Sequence, residues 1–169
     1  MRVLERMFRK LGVTLQLGDA ELCLSARQRL RVRRDVGAAI PKIEDGPWPM
    51  FPTDLMSVMI VLATQATGTV MFFEKMFESR MYFVDALQSM GAAVVVCDPH
   101  RVLVTGPARL HGTHMASPDI RAGMALLIAA LCARGRSVIE KAEIIDRGYE
   151  RVEEKLRALG AEIVREDSA

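Results

Sequence analysis

Five residues carry most of the chemistry that this 169-residue sequence offers. Asp54 and Asp119 each follow a proline closely, in Pro52-Thr-Asp54 and Pro118-Asp119, at the start of a strongly apolar stretch. A carboxylate there serves as a helix cap, meeting free N–H groups and the positive end of the helix dipole. Two of them at equivalent places in two repeats, brought to one face, suit general acid and base work instead. The sequence leaves both readings open. Arg80 lies twelve positions after Gly68, and Arg147 twelve after Gly135. A guanidinium on a turn suits bidentate capture of phosphate or carboxylate, or a pair with its own neighbour, Glu78 or Asp146. Arg121 falls in the first turn after Asp119, where a cation opposes the dipole. An anion bound at that helix start would justify it, and so would a plain surface position.

Other chemistry is thinly supported. His111 and His114 form an HxxH pair with no third ligand in sequence, so surface or core histidines are expected and no metal. Cys23, Cys97 and Cys132 fall in apolar stretches and read as small buried hydrophobes. Met56, Met59, Met76, Met90 and Met124 sit on apolar stripes and read mostly as core. No phosphate-binding glycine loop, serine elbow or zinc helix motif occurs, and no cofactor is expected.

The elements that must position these residues repeat. Phe8-Arg-Lys-Leu-Gly12-Val, Leu87-Gln-Ser-Met-Gly91-Ala and Leu156-Arg-Ala-Leu-Gly160-Ala each end a helix at a left-handed glycine. Apolar strands then follow, at 13–17, 92–97 and 161–165. Upstream of the last two copies, apolar helices run from Asp54 to near Gly68 and from Asp119 to near Gly135. Strands follow at 69–73 and 137–140, and further helices at 81–90 and 149–159. Extra strand pairs are expected between 21–25 and 30–33, and between 101–104 and 114–116. The first copy lacks its leading helix and strand. The period of roughly 70 to 80 residues points to α+β modules around a common core, forming a single domain over residues 1–169.

Composition narrows the class. Half the residues are apolar, 26% are charged, and the net charge is +2. That excludes a disordered chain, and the balanced charge argues against a dedicated nucleic-acid binder. Basic residues gather in Arg27-Gln-Arg-Leu-Arg-Val-Arg-Arg34, where alternation gives either a solvated outer strand or a phosphate-gripping ribbon. The apolar run Met124–Cys132 is far shorter than the roughly 20 residues that span a bilayer, so no membrane association is expected. With no visible signal peptide and an odd number of cysteines, a reducing, cytoplasmic location is expected.

Four ordered motifs then resemble one family. Pro47-Trp-Pro-Met-Phe-Pro-Thr-Asp54 resembles the P-x-P-x-F-P-T-D signature of the UDP-N-acetylglucosamine enolpyruvyl (1-carboxyvinyl) transferases. Phe77-Glu-Ser-Arg80 is similar to their F-E-N-R, and Pro118-Asp-Ile-Arg-Ala-Gly123 to their D-L-R-A-G/S helix start. Ile145-Asp-Arg-Gly-Tyr-Glu150 with Lys155-Leu-Arg-Ala-Leu-Gly160-Ala is similar to their C-terminal run. Order and spacing agree over about residues 47–165, and more loosely from residue 1. The family-typical Asn is Ser at 79, and Met76 stands where Val or Ile is common.

The resemblance implies an inside-out α/β barrel of repeated strand-helix units with the first repeat truncated, equivalent to a C-terminal domain. The N-terminal domain, with the family's reactive-cysteine loop, is then absent, and none of the three cysteines takes that role. It also implies transfer of the enolpyruvyl group of phosphoenolpyruvate to UDP-N-acetylglucosamine in peptidoglycan precursor synthesis, and so a part in cell-wall biogenesis, cell shape and division. Asp54 would be the base and a substrate contact, Arg147 an anion clamp, and Asp119 and Arg121 would line the same cleft. Met76 and Arg80 would contact substrate. The chain alone would be inactive, needing the missing N-terminal half. The rival expectation is a non-catalytic relic or interaction module that self-associates through its exposed core.

Overall fold

The structure, a computed structural model, describes residues 2–166. Its centre is made of two helices that are apolar all round, the pattern of an element buried on every side. Helix α2 (Met56–Gln65, after α1, Arg2–Lys10) has no charged residue, and α4 (Ile120–Cys132, after α3, Val84–Ser89) has only Arg121. They pack on each other. Met59, Ile60 and Ala63 of α2, and Ala125, Leu126 and Ala129 of α4, are fully buried.

Sheets cover this centre from outside. Strands β3 (Lys42–Glu44), β4 (Gly68–Phe73), β5 (Ala93–Asp98) and β6 (Arg101–Gly106) form a sheet in the order β3-β4-β6-β5, with β3 parallel to β4 and the other pairs antiparallel. Val70, Phe72, Val94, Val102 and Val104 face the helices. Val95 and Val96 face water at 60% and 46% exposure. Helices inside and sheets outside is the inside-out arrangement expected. Two small sheets flank it, an antiparallel β1–β2 hairpin (Leu15–Leu17 and Leu22–Leu24) and a parallel β7–β8 pair (His114–Ala116 and Val138–Glu140). Helices α5 (Glu143–Asp146) and α6 (Val152–Ala158) complete the order.

The repeat is real. Gly12, Gly91 and Gly160 all adopt positive φ, at 86°, 95° and 96°, and each ends a helix. At Gly12 a Cβ would also lie 2.6 Å from the Arg31 nitrogen, so the glycine is needed twice there. The parallel pair β3–β4 matches β7–β8, and α1–β1–β2 matches α3–β5–β6.

Several expectations need correction. Residues 161–165 form no strand. In the middle unit β6 lies between β4 and β5 and bonds to both. Among the described residues no strand fills that place beside β8, and a cleft of about 1100 Å³ stands there instead. Residues 30–33 do not pair with 21–25. The hairpin partner is β1, and Arg31 instead bridges to Thr67. Nor does 101–104 pair with 114–116, because β6 is taken by β4 and β5 on its two edges while β7 joins β8. All three cysteines are exposed rather than buried: Cys23 and Cys97 lie in strands that face water, and Cys132 ends α4. Met76 is likewise exposed rather than core, and Met124 is half-buried.

Candidate active site

The internal symmetry sets the starts of α2 and α4 side by side, and this brings the two aspartates together. Asp119 is the N-cap of α4. Its Oδ1 accepts from the Arg121 and Ala122 amides at 2.7 and 2.9 Å. Capping is therefore a true role of Asp119. Asp54 does not cap. It sits in the 3-10 turn Thr53–Leu55 ahead of α2 and takes a hydrogen bond and ion pair from Arg121 Nε. The Asp54 carboxylate, with help from Asp119 and the Tyr149 hydroxyl, pushes the Arg121 guanidinium up against a lowering by desolvation. Asp54 keeps 60% of its side chain exposed, so the carboxylate still presents oxygen to solvent. An ion pair this open is worth about 0–1 kcal/mol and can rearrange when a ligand arrives.

On its other flank the Asp54 turn meets the loop after β4. Arg80 Nη1 donates to Thr53 Oγ1 at 2.9 Å and stacks over the Phe77 ring at 3.8 Å, with no pair to Glu78. Met76 lies at the head of this loop. Ser79 takes a positive φ of 66°, a region where Asn is enriched several-fold over other side chains, which gives a physical reason for the Asn usual in that motif.

Arg147 stands on the turn that ends α5. That turn packs on the first turn of α4: a Cβ at Gly123 would meet the Ile145 side chain, and one at Gly148 that of Ile120. Asp146 does not hold Arg147. It pairs with Arg165 at 2.7 and 2.8 Å, which keeps its carboxyl below the usual range. The Arg147 side chain is exposed and makes no ion pair among the described residues. Asp54 and Asp119 thus both contact Arg121, Arg80 bonds the hydroxyl of Thr53 beside Asp54, and Arg147 lies on the turn against the same helix start. His111 and His114 lie apart from these residues. His114 is 3.4 Å from Glu140, and no group of ligating side chains among the described residues could hold a metal.

Three residues beside Asp54 escaped the sequence-based search. Asp45 and Glu74 are buried acids just beyond the ends of β3 and β4, and Thr53 links Glu74 to Arg80. Acids following the carboxyl ends of adjacent parallel strands, where α/β sheets place their sites, were the available signal.

The family model described as EPSP synthase (3-phosphoshikimate 1-carboxyvinyltransferase) matches residues 1–156. The chain belongs to this family. Its curated relatives carry the name UDP-N-acetylglucosamine 1-carboxyvinyltransferase. It is 54% identical over 98% of its length to the UDP-N-acetylglucosamine 1-carboxyvinyltransferase of Bradyrhizobium diazoefficiens, and likewise 54% over 98% to that of Treponema pallidum. To that of Borrelia garinii it is 55% identical over 96%. The chain spans only 38 or 39% of the length of these enolpyruvyl transferases. Among solved structures, the enolpyruvyl transferase NikO from Streptomyces tendae superposes on 95% of the chain, with TM-score 0.82 and 26% identity, over 35% of its own length. EPSP synthase from Acinetobacter baumannii, at 17% identity and TM-score 0.67, shares the fold. No helix among the described residues is long and apolar enough to cross a membrane.

Proposed function

We propose that the chain is the C-terminal part of a UDP-N-acetylglucosamine enolpyruvyl transferase, acting in the cytoplasm on peptidoglycan precursors, and inactive without the remainder of the enzyme. The observation that carries the reading is the exposed Asp54 carboxylate, held by Arg121 between two helix starts on a chain this similar to transferases of that name.

The reaction needs a base and anion holders. The sugar 3-hydroxyl adds to C2 of phosphoenolpyruvate while C3 gains a proton. The resulting tetrahedral adduct then loses a proton from C3 and expels phosphate, restoring the double bond. Asp54 takes the hydroxyl proton in the first step, and Arg121 fixes the orientation of its carboxylate. Arg147, whose side chain has no acidic partner among the described residues, holds phosphoenolpyruvate by its phosphate or carboxylate. Arg80 and Met76 form the wall against the nucleotide sugar. Asp119 holds the α4 start, and through it Arg121, in register.

The test is phosphate release from phosphoenolpyruvate and UDP-N-acetylglucosamine. This chain alone is expected to release none, and mixing it with the complementary N-terminal part should restore turnover. Loss of the base costs about 10²- to 10⁴-fold, so Asp54→Asn in the restored enzyme should fall by that factor. Turnover that survives Asp54→Asn removes the role assigned to it. A second reading, a self-associating interaction module, is favoured by one feature: Leu22 and Leu24 of the β1–β2 hairpin are half exposed. It predicts a stable homo-oligomer that ignores nucleotide sugar.

A further inference from the structure

Two carboxyl groups lie buried together against the Asp54 turn. Asp45 is 0% exposed and Glu74 is 1% exposed. The Lys75 amide donates to Asp45 Oδ1 at 2.6 Å, while Asp45 Oδ2 is buried with no hydrogen-bond partner among the described residues. Glu74 Oε1 accepts from the Met76 and Phe77 amides at 3.0 and 3.2 Å. The Thr53 hydroxyl lies 3.1 and 2.9 Å from the two Glu74 oxygens. The cations around them are committed elsewhere. Lys75 Nζ pairs with Glu44, as does Lys42. Arg80 reaches Glu74 only through Thr53, and His100 meets the Glu74 backbone carbonyl rather than its carboxyl. Of the other nearby acids, Asp54 is bound to Arg121, and Glu78 is exposed on the loop.

Two ionised carboxylates are not stable side by side in such a place. A single proton between them removes the repulsion, and its O–H supplies the donor that Asp45 Oδ2 lacks. We infer that Asp45 and Glu74 are a proton-sharing pair that positions Asp54 and Arg80 for the nucleotide sugar, with Thr53 as the link. The inference rests on the proposed function only for the identity of that ligand.

The geometry gives the pair this reach. Thr53 immediately precedes Asp54 in one 3-10 turn. The Met76 and Phe77 amides belong to the loop that carries Arg80. One carboxyl therefore ties both walls together, and neither Asp45 nor Glu74 meets a reacting atom. Burial first, and then Asp45, raise Glu74 from its ordinary value of 4.5 to about 7, so the proton is exchanged near neutrality. Losing it places two charges together, so Glu74 and Asp45 repel, and the Thr53 hydroxyl and the loop amides bonded to Glu74 shift with it.

The experiment is an NMR titration of this chain across neutral pH. It follows the Met76 and Phe77 amides, the Arg80 guanidinium and the Asp54 carboxyl carbon. All four are expected to share one midpoint near neutrality. Glu74→Gln keeps an acceptor oxygen and should abolish that midpoint at all four, whereas Asp45→Asn should lower it by about one unit. Thr53→Val should leave it at Met76 and Phe77 and remove it from Asp54 and Arg80, which keeps the test decisive if Glu74→Gln does not fold. Asp54 and Arg80 signals that ignore the Glu74 midpoint, or that still titrate in Glu74→Gln, overturn the inference. Adding UDP-N-acetylglucosamine to the same samples tests the function separately. A pair that titrates as expected in a chain that ignores the nucleotide sugar leaves the pair standing and counts against the function.

Discussion

At the scale of single residues, the site is built by giving similar side chains different environments. Asp119 and Asp54 occupy equivalent places in two repeats, yet one spends an oxygen on two amides and the other faces solvent against a guanidinium. Removing the cap, as Asp119→Ala, should cost about 0.5–2 kcal/mol in urea unfolding. Glu74 gives a pH dependence whose sign follows from its raised value. Between its ordinary 4.5 and about 7 the unfolded chain releases this proton while the folded chain keeps it, so its contribution to stability is complete below that window. It is lost as pH rises through the window, by up to about 1.4 kcal/mol per pH unit. Melting temperature followed over that range should fall in the parent, and its slope should flatten in Glu74→Gln. The arginines and aspartates were legible from spacing and motif. The buried acids were not, because a lone Asp or Glu after an apolar strand looks solvated until the fold closes around it.

At the scale of elements, the glycines that end the helices do unequal work. Gly12 and Gly160 share a positive φ, but a Cβ at Gly12 would strike the backbone of Arg29 and Arg31, while one at Gly160 meets open space. Gly160→Ala should cost only the left-handed backbone penalty, about 1–2 kcal/mol, and Gly12→Ala clearly more, by the same unfolding measurement. Ser79→Asn should recover up to about 1 kcal/mol at its positive φ. These helix ends, and the apolar helices themselves, were visible in the sequence because a left-handed glycine and an unbroken apolar face are local signals. Strand pairing was not. Residues 30–33 alternate like a strand and 161–165 follow a helix-ending glycine as one would, but a strand needs a partner edge, and that depends on what the rest of the chain places beside it.

At the scale of the whole molecule, order should follow the repeats. The middle unit has a four-stranded sheet over two buried helices, whereas the first has only a hairpin and the third only a parallel pair. Amide hydrogen exchange should be slowest in α2, α4, β4 and β6, and fast in β1–β2 and residues 161–166, with a gap of several orders of magnitude. Uniform protection would mean that the incomplete units are supported by association, and light scattering would then show it.

The positions of the three cysteines have a practical consequence. Cys23 lies on the first unit's hairpin, Cys97 on the middle unit's outer strand, and Cys132 at the end of the third unit's central helix. Each repeat thus carries one native handle for a thiol-directed label. Desolvation raises the Cys132 thiol, which slows its alkylation. A time course of mass-resolved labelling, begun when the complementary part of the enzyme is added, would report which repeat is covered and in what order, with no engineered residue.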